Sequence, residues 1–210
     1  MSTAGALLET MGRIEYFTLA RVWTDLTDDE LHWEPVEGTW GLRRRDECRT
    51  PFALGGGEWV AEIDGGMPVD PLTTIGWLLW HVGSMPGRLV ETEVFGGPHA
   101  VSSGWHSPYL EHHEVAPTAE RAIENLRTGW AALRAAIESS TEADLARPAA
   151  RYTYAGGSPL DNRMVAGPPG PEHPALFFVV SVINEVSHHG SQICTMRDLY
   201  AHRHALRTDA

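Results

Sequence analysis

The chain has 210 residues, with 16 Lys+Arg against 28 Asp+Glu and a formal net charge of −12. That length suits one domain with a substantial core, and the acidic balance gives no broad electrostatic reason to seek phosphate backbones, which argues against nucleic acid as the main partner. No uninterrupted apolar run reaches the roughly 18 residues of a membrane-spanning helix, and the opening stretch MSTAGALLETMGRIEYF lacks a basic leader and carries Glu9 and Glu15, unlike a signal peptide.

Residues 3–24 are predicted as a first helix, because Leu7, Leu8, Met11, Ile14, Thr18 and Val22 recur at three- and four-residue steps. Thr27, followed three residues on by Glu30, is a candidate capping box for a short helical turn that Pro35 and Gly38 end. Residues 38–70 differ in kind. Three consecutive glycines (Gly55, Gly56 and Gly57) precede the alternating residues 58–63, a candidate strand of a small hairpin. The region reads as a loop or hairpin insertion packed on the helices, too small and polar to hold a core alone. Long connections of this kind are commonly functional.

Pro71 opens the second helix, with Thr73 or Thr74 near its cap. Ile75, Leu78, Leu79 and Val82 form its apolar stripe, and His81 lies among Trp77, Trp80 and Val82. Pro86 is expected to kink or interrupt it. Residues 96–117 read as loop. A third helix runs from about residue 118 to 139 on the period of Ala122, Ile123, Leu126, Trp130, Leu133, Ala136 and Ile137. A short capped turn follows at 141–145. Residues 148–173 are rich in glycine and proline, with Tyr152, Thr153 and Tyr154 as a candidate strand. The last helix, 174–200, is almost free of punctuation. Four long helical segments with long connections predict an all-α, single-domain four-helix bundle over residues 1–210. Bundles of this kind are often homodimers, with helix one or three as candidate seams, and no exposed stripe singles either out.

The last helix carries the chemistry. It begins apolar and then presents Asn184, Glu185, His188, His189 and Gln192. Residues four apart share a helix face, so Glu185 and His189 point the same way, from a wall that also buries Phe178, Val182 and Ile193. A carboxylate and an imidazole on such a face are costly unless hydrogen-bonded, paired or metal-bound. By itself the pair is as compatible with a solvated face or a buried hydrogen bond as with ligation. Helical bundles build metal sites from inward side chains on neighbouring helices, and adding His81 gives three protein ligands with open positions left for substrate or water. The nitrogen and oxygen set suits zinc, nickel, iron or manganese. The competing Glu185–His188 pair has the spacing of a di-metal carboxylate bundle, but no second such motif stands on the other helices, so His188 becomes a pocket or surface residue. Asn184, Trp77, Trp80 and Tyr154 are further pocket candidates. Eight Trp and eleven His in the chain agree with a site walled by aromatic rings.

His81 within TTIGWLLWHVG, together with NEVSHHGSQICTMRDLY, resembles the DinB superfamily of four-helix-bundle proteins, in the form common among actinobacterial sequences. The resemblance extends to DLTDDELHWEP, WGLRRR and GEWVAEI. It implies that His81, Glu185 and His189 bind a divalent metal, although more familiar members have a histidine at the position of Glu185. It also implies two chemistries acting on a small-molecule substrate. One is transfer or isomerisation with a low-molecular-weight thiol such as mycothiol, through a thiolate of lowered pKa; the other is hydrolysis by activated water. A non-catalytic metal- or ligand-binding bundle is the third reading. Arg43, Arg44, Arg45, Arg88, His106 and Tyr154 are candidates to contact a polar substrate, each with a plain surface role as the alternative. The cysteines, Cys48 and Cys194, lie far apart with no CxxC, so a disulfide framework is not expected, and a reducing cytoplasm is the simplest setting. Cys194 reads as a small apolar residue of a buried helix.

Overall fold

The structure, a computed structural model, describes residues 1–63, 72–99, 114–151, 155–156, 165–166 and 172–206. It is mostly helical, with three small antiparallel sheets that the all-α expectation omitted. Helix α1 comprises Thr3–Ile14, a π-turn at Glu15–Leu19 and a last stretch Ala20–Val22. The short α2 is Asp28–Leu31. Strands β1 (Leu42–Arg44), β2 (Phe52–Leu54) and β3 (Trp59–Ile63) form one sheet in the order β1-β3-β2. Helices α3 (Ile75–Gly83) and α4 (Met85–Val90) come next, then α5 (Ala119–Ser139) and the short α6 (Glu142–Ala146). Strands β4 (Pro148–Arg151) and β7 (Glu172–Pro174) pair across the gap that β5 (Ala155–Gly156) and β6 (Val165–Ala166) occupy as a second pair. Helix α7 (Ala175–Ala201) and a last turn α8 (Arg203–Leu206) complete the chain. No helix among the described residues is long and apolar enough to cross a membrane.

Local chemistry sets the boundaries. Thr74, Thr118 and Thr141 each cap a helix by accepting from a backbone N–H two or three residues on, and Asp144 completes a capping box by bonding back to Thr141. Thr27 caps α2 in the same way, but the expected reciprocal bond is missing. The nearly buried Glu30 carboxylate is taken instead by the Arg197 guanidinium of α7, with Nε–Oε1 at 2.7 Å. A charged partner is the stronger acceptor's choice over a neutral N–H. Pro86 splits the second helix as expected. A continuous helix would drive its ring into the carbonyl four residues back, so the chain breaks at Ser84 and restarts with Pro86 in the first turn, where no N–H is missed.

Helices α1, α3, α5 and α7 bury Met11, Leu79, Leu126, Leu133 and Ile193 between them. Glycine brings α5 against the α3–α4 break. A Cβ on Gly129 would stand 3.0 Å from the Gly87 nitrogen and 3.3 Å from the Gly83 oxygen. Region 38–70 is a three-stranded sheet rather than a hairpin, because β3 pairs on both edges, with β1 and with β2. Its Glu62 side chain is fully buried. One carboxylate accepts from the Gly41 and Arg49 backbone amides and from the Arg49 guanidinium, at 3.0–3.1 Å, with Arg43 beside it. Burial would raise this carboxyl, but the Arg49 bonds, the Arg43 charge and the Gly41 amide outweigh it and hold it below the ordinary value.

Two tests follow from this packing. Gly129→Ala should destabilise the protein by about 1–3 kcal/mol despite the better helix propensity of alanine, because backbone cannot rotate out of the way. Gly12→Ala, where only the Arg134 guanidinium comes within 4.0 Å, should instead gain about 0.4–1 kcal/mol; urea unfolding of both variants measures the contrast. Glu62→Gln should cost about 1.5–3 kcal/mol at neutral pH. A depressed carboxyl contributes above its unfolded value and loses that contribution as pH falls through its folded value, so wild type and variant should converge in stability on acidification.

Candidate metal centre

His81 sits on the last turn of α3, half-buried, with its ring stacked on Trp77 at 5.3 Å between centroids and 24° between planes. Trp77 is itself 5% exposed, and its indole N–H donates to the Glu62 carbonyl at 2.9 Å. The insertion therefore orients the wall on which His81 rests. Across from it, α7 brings Glu185 and His189 onto one face one turn apart. Glu185 Oε2 lies 3.1 Å from His189 Nε2 and 3.8 Å from His81 Nε2, and the two imidazoles meet edge to face at 4.8 Å. One donor atom from each of the three residues lies within 4.8 Å of the others. Close approach of α7 to α1 holds this register: a Cβ on Gly190 would stand 2.8 Å from Thr18 Cγ2.

The electrostatics of the trio are coupled. Hydrogen bonds from His189 and then His81 hold the Glu185 carboxyl far below the usual carboxylate range, against the burial that would raise it. Burial lowers His81, and the positive influence of His189 and Arg88 adds to that, with Glu185 only partly opposing. Burial also pulls His189 down, but its bonds to Glu185 and Gln192 and the Glu185 charge more than reverse this, leaving it raised. Two donors each about 2.0–2.2 Å from a metal stand roughly 3–4 Å apart. The Glu185 oxygen meets that spacing with both imidazoles, so the donor set fits a divalent ion.

The remaining sequence candidates divide cleanly. His188 is exposed, its ring 4.6 Å from that of His189, and it is not part of the trio. Asn184 is exposed on the same turn, and Trp80 is buried edge-on against Trp77 at 5.7 Å. Arg88 is half-buried and close enough to His81 to depress its imidazole. The three consecutive arginines are engaged inside the insertion: Arg43 with Glu34 and Glu62, Arg44 with Glu58, and Arg45 with the Gly55 and Gly57 carbonyls. Tyr154 and His106 lie outside the described residues. Cys194 is half-buried beside the Thr18 carbonyl. Gln192 received no role from the sequence, yet its Oε1 lies 2.6 Å from His189 Nδ1; its three-residue spacing from a candidate ligand was the available signal.

A mostly helical protein that gathers two imidazoles and a carboxylate from two helices belongs to the class of helical proteins with a candidate mononuclear metal centre. The sequence pattern of the DinB superfamily matches residues 16–193, and the chain belongs to that superfamily. Among solved structures, the crystal structure of a conserved protein from Enterococcus faecalis is similar over 95% of this chain and 97% of its own, with 13% identity and a TM-score of 0.50. At that identity the likeness concerns the fold. Comparison with curated proteins gave no match.

The signs of the shifts give a prediction for metal-free protein. A raised histidine contributes stability below its unfolded value of about 6.5, and a depressed carboxylate contributes above its unfolded value of about 4.3. The stability difference between wild type and Glu185→Gln should therefore be greatest between about pH 4.3 and 6.5, and should shrink on either side; denaturant titrations across pH in the presence of a chelator measure it.

Proposed function

We propose that the protein is a metal-dependent enzyme built as a single-domain four-helix bundle, with His81, Glu185 and His189 holding one divalent ion and a low-molecular-weight thiol such as mycothiol reacting there with a small electrophile. The observation that carries the reading is the convergence of one donor atom from each of the three residues within 4.8 Å. When bound, a divalent ion supplies Lewis-acid chemistry that lowers the pKa of a coordinated thiol or water. The chain's own residues set the preference between them. A single carboxylate against two neutral imidazoles leaves a divalent site with net positive charge, and Arg88 adds to it from the same helix as His81. That field favours an anionic thiolate. Trp77 closes one side of His81 and excludes water from it, while Glu185, 39% exposed, leaves the opposite side open to a substrate. Superfamily membership supports a metal-binding role; the thiol and its electrophile are the finer part of the proposal.

Purified protein should carry or take up close to one equivalent of divalent metal by elemental analysis, and His81→Ala and Glu185→Ala should lose it. The loaded protein, incubated with mycothiol and an electrophile such as a maleyl-type unsaturated acid, should give conjugate or isomer above the metal-free background. Metal uptake with no thiol-dependent product removes the transferase reading, and thiol-independent hydrolysis of ester or amide probes would put water in its place. A wild-type protein with no stoichiometric metal sinks the metal centre itself.

A further inference from the structure

We infer that Gln192 is a positioning residue for His189, holding its imidazole in the form that carries hydrogen on Nδ1 so that the Nε2 lone pair faces Glu185 and His81; the inference rests on the metal-centre reading above. A neutral imidazole has one N–H and one lone pair, and a metal ligand must present the lone pair. Which nitrogen does so is decided by the partner of the other. His189 has an acceptor on each side: Glu185 Oε2 at 3.1 Å from Nε2 and Gln192 Oε1 at 2.6 Å from Nδ1. Glu185 alone would draw the single proton onto Nε2 and block that nitrogen as a ligand. Gln192 supplies the competing acceptor, at the shorter distance, on the side away from His81.

The geometry of the helix makes this partnership persistent. Glu185, His189 and Gln192 are spaced four and three apart in α7, which continues without interruption to Ala201, so all three project from one face. The edge of the His81 ring and the tilted His188 ring at 4.6 Å bracket the imidazole from two sides, leaving its rotation to be fixed by the two hydrogen bonds. Gln192 is itself exposed, so its replacement removes an acceptor without opening a cavity. An amide could also present its NH₂ group to Nδ1. A carboxylate at the same place can only accept, which separates the two arrangements.

The test uses the full chain and zinc ion alone as the probe. Zinc affinity is measured by competition with a chromophoric chelator for wild type, Gln192→Ala and Gln192→Glu, alongside ¹⁵N spectra of the histidine rings and the melting temperature of each metal-free protein. Gln192→Ala should weaken zinc binding by about 10–100-fold, lose the protected Nδ1 proton of His189 and melt with wild type. Gln192→Glu should keep the proton and bind zinc at least as tightly as wild type. Wild-type affinity in Gln192→Ala, or equal loss in both variants, overturns the assignment. Should wild type take up no zinc, the metal-centre reading falls and the ring spectra decide: an Nδ1 proton equally protected in wild type and Gln192→Ala overturns the role of Gln192 on its own.

Discussion

The Trp77 indole is the joint on which the rest of the arrangement depends. Its N–H is tied to the backbone carbonyl of Glu62 on the central strand of the insertion, and its face carries the His81 ring. A buried indole N–H without an acceptor is costly, so α3 and the sheet have to meet in one register. That same strand residue turns its carboxylate the other way, into the Arg43 and Arg49 guanidiniums. One residue therefore uses its main chain to orient the aromatic wall and its side chain to hold the insertion together. The sheet is part of the apparatus that aims His81, not an appendage to it.

Helix α7 works against a different constraint. A carboxylate half-withdrawn from water needs partners on several sides, and Glu185 finds one on its own helix and one across from it. The first is guaranteed by helical spacing. The second exists only because α7 and α1 approach closely at Gly190 and α3 presents His81 at its final turn before the chain breaks at Ser84. Small residues at the helix contacts, Gly190 here and Gly129 against the α3–α4 break, thus convert backbone proximity into side-chain proximity.

Much of this was legible in the residue pattern. Apolar periodicity and threonine caps located the long helices to within a few residues, and the four-residue spacing of Glu185 and His189 put them on one face with His81 as the partner across the helices. What escaped has a common physical cause. The link from Trp77 to the Glu62 carbonyl involves a backbone acceptor, which every residue has and no sequence displays. Glu30 left its expected capping bond for an arginine 167 positions away, a competition that local rules do not contain. Residues 58–63 alternated as a strand should, but alternation does not reveal that both edges are paired. Gln192 stood in plain view at a three-residue step from His189, and only the direction of the ring nitrogens gives that step a meaning.

The π-turn at Glu15–Leu19 changes how α1 can be altered. Such a turn carries one residue more than a regular helix would use over the same rise, and here it directs Glu15 inward to the Trp130 indole at 2.7 Å and the Arg134 guanidinium at 2.8 Å while Tyr16 and Phe17 face outward. Successive residues of a helix are separated by about 100° of rotation. Removing any one residue between 15 and 19 would therefore leave the helix unbroken and its length nearly the same, yet swivel the 12 residues of Thr3–Ile14 about a third of a turn relative to everything after them. Leu7 and Met11 would leave the core as a set. The element behaves like a threaded coupling between two rods, with the surplus residue setting the angle at which they lock.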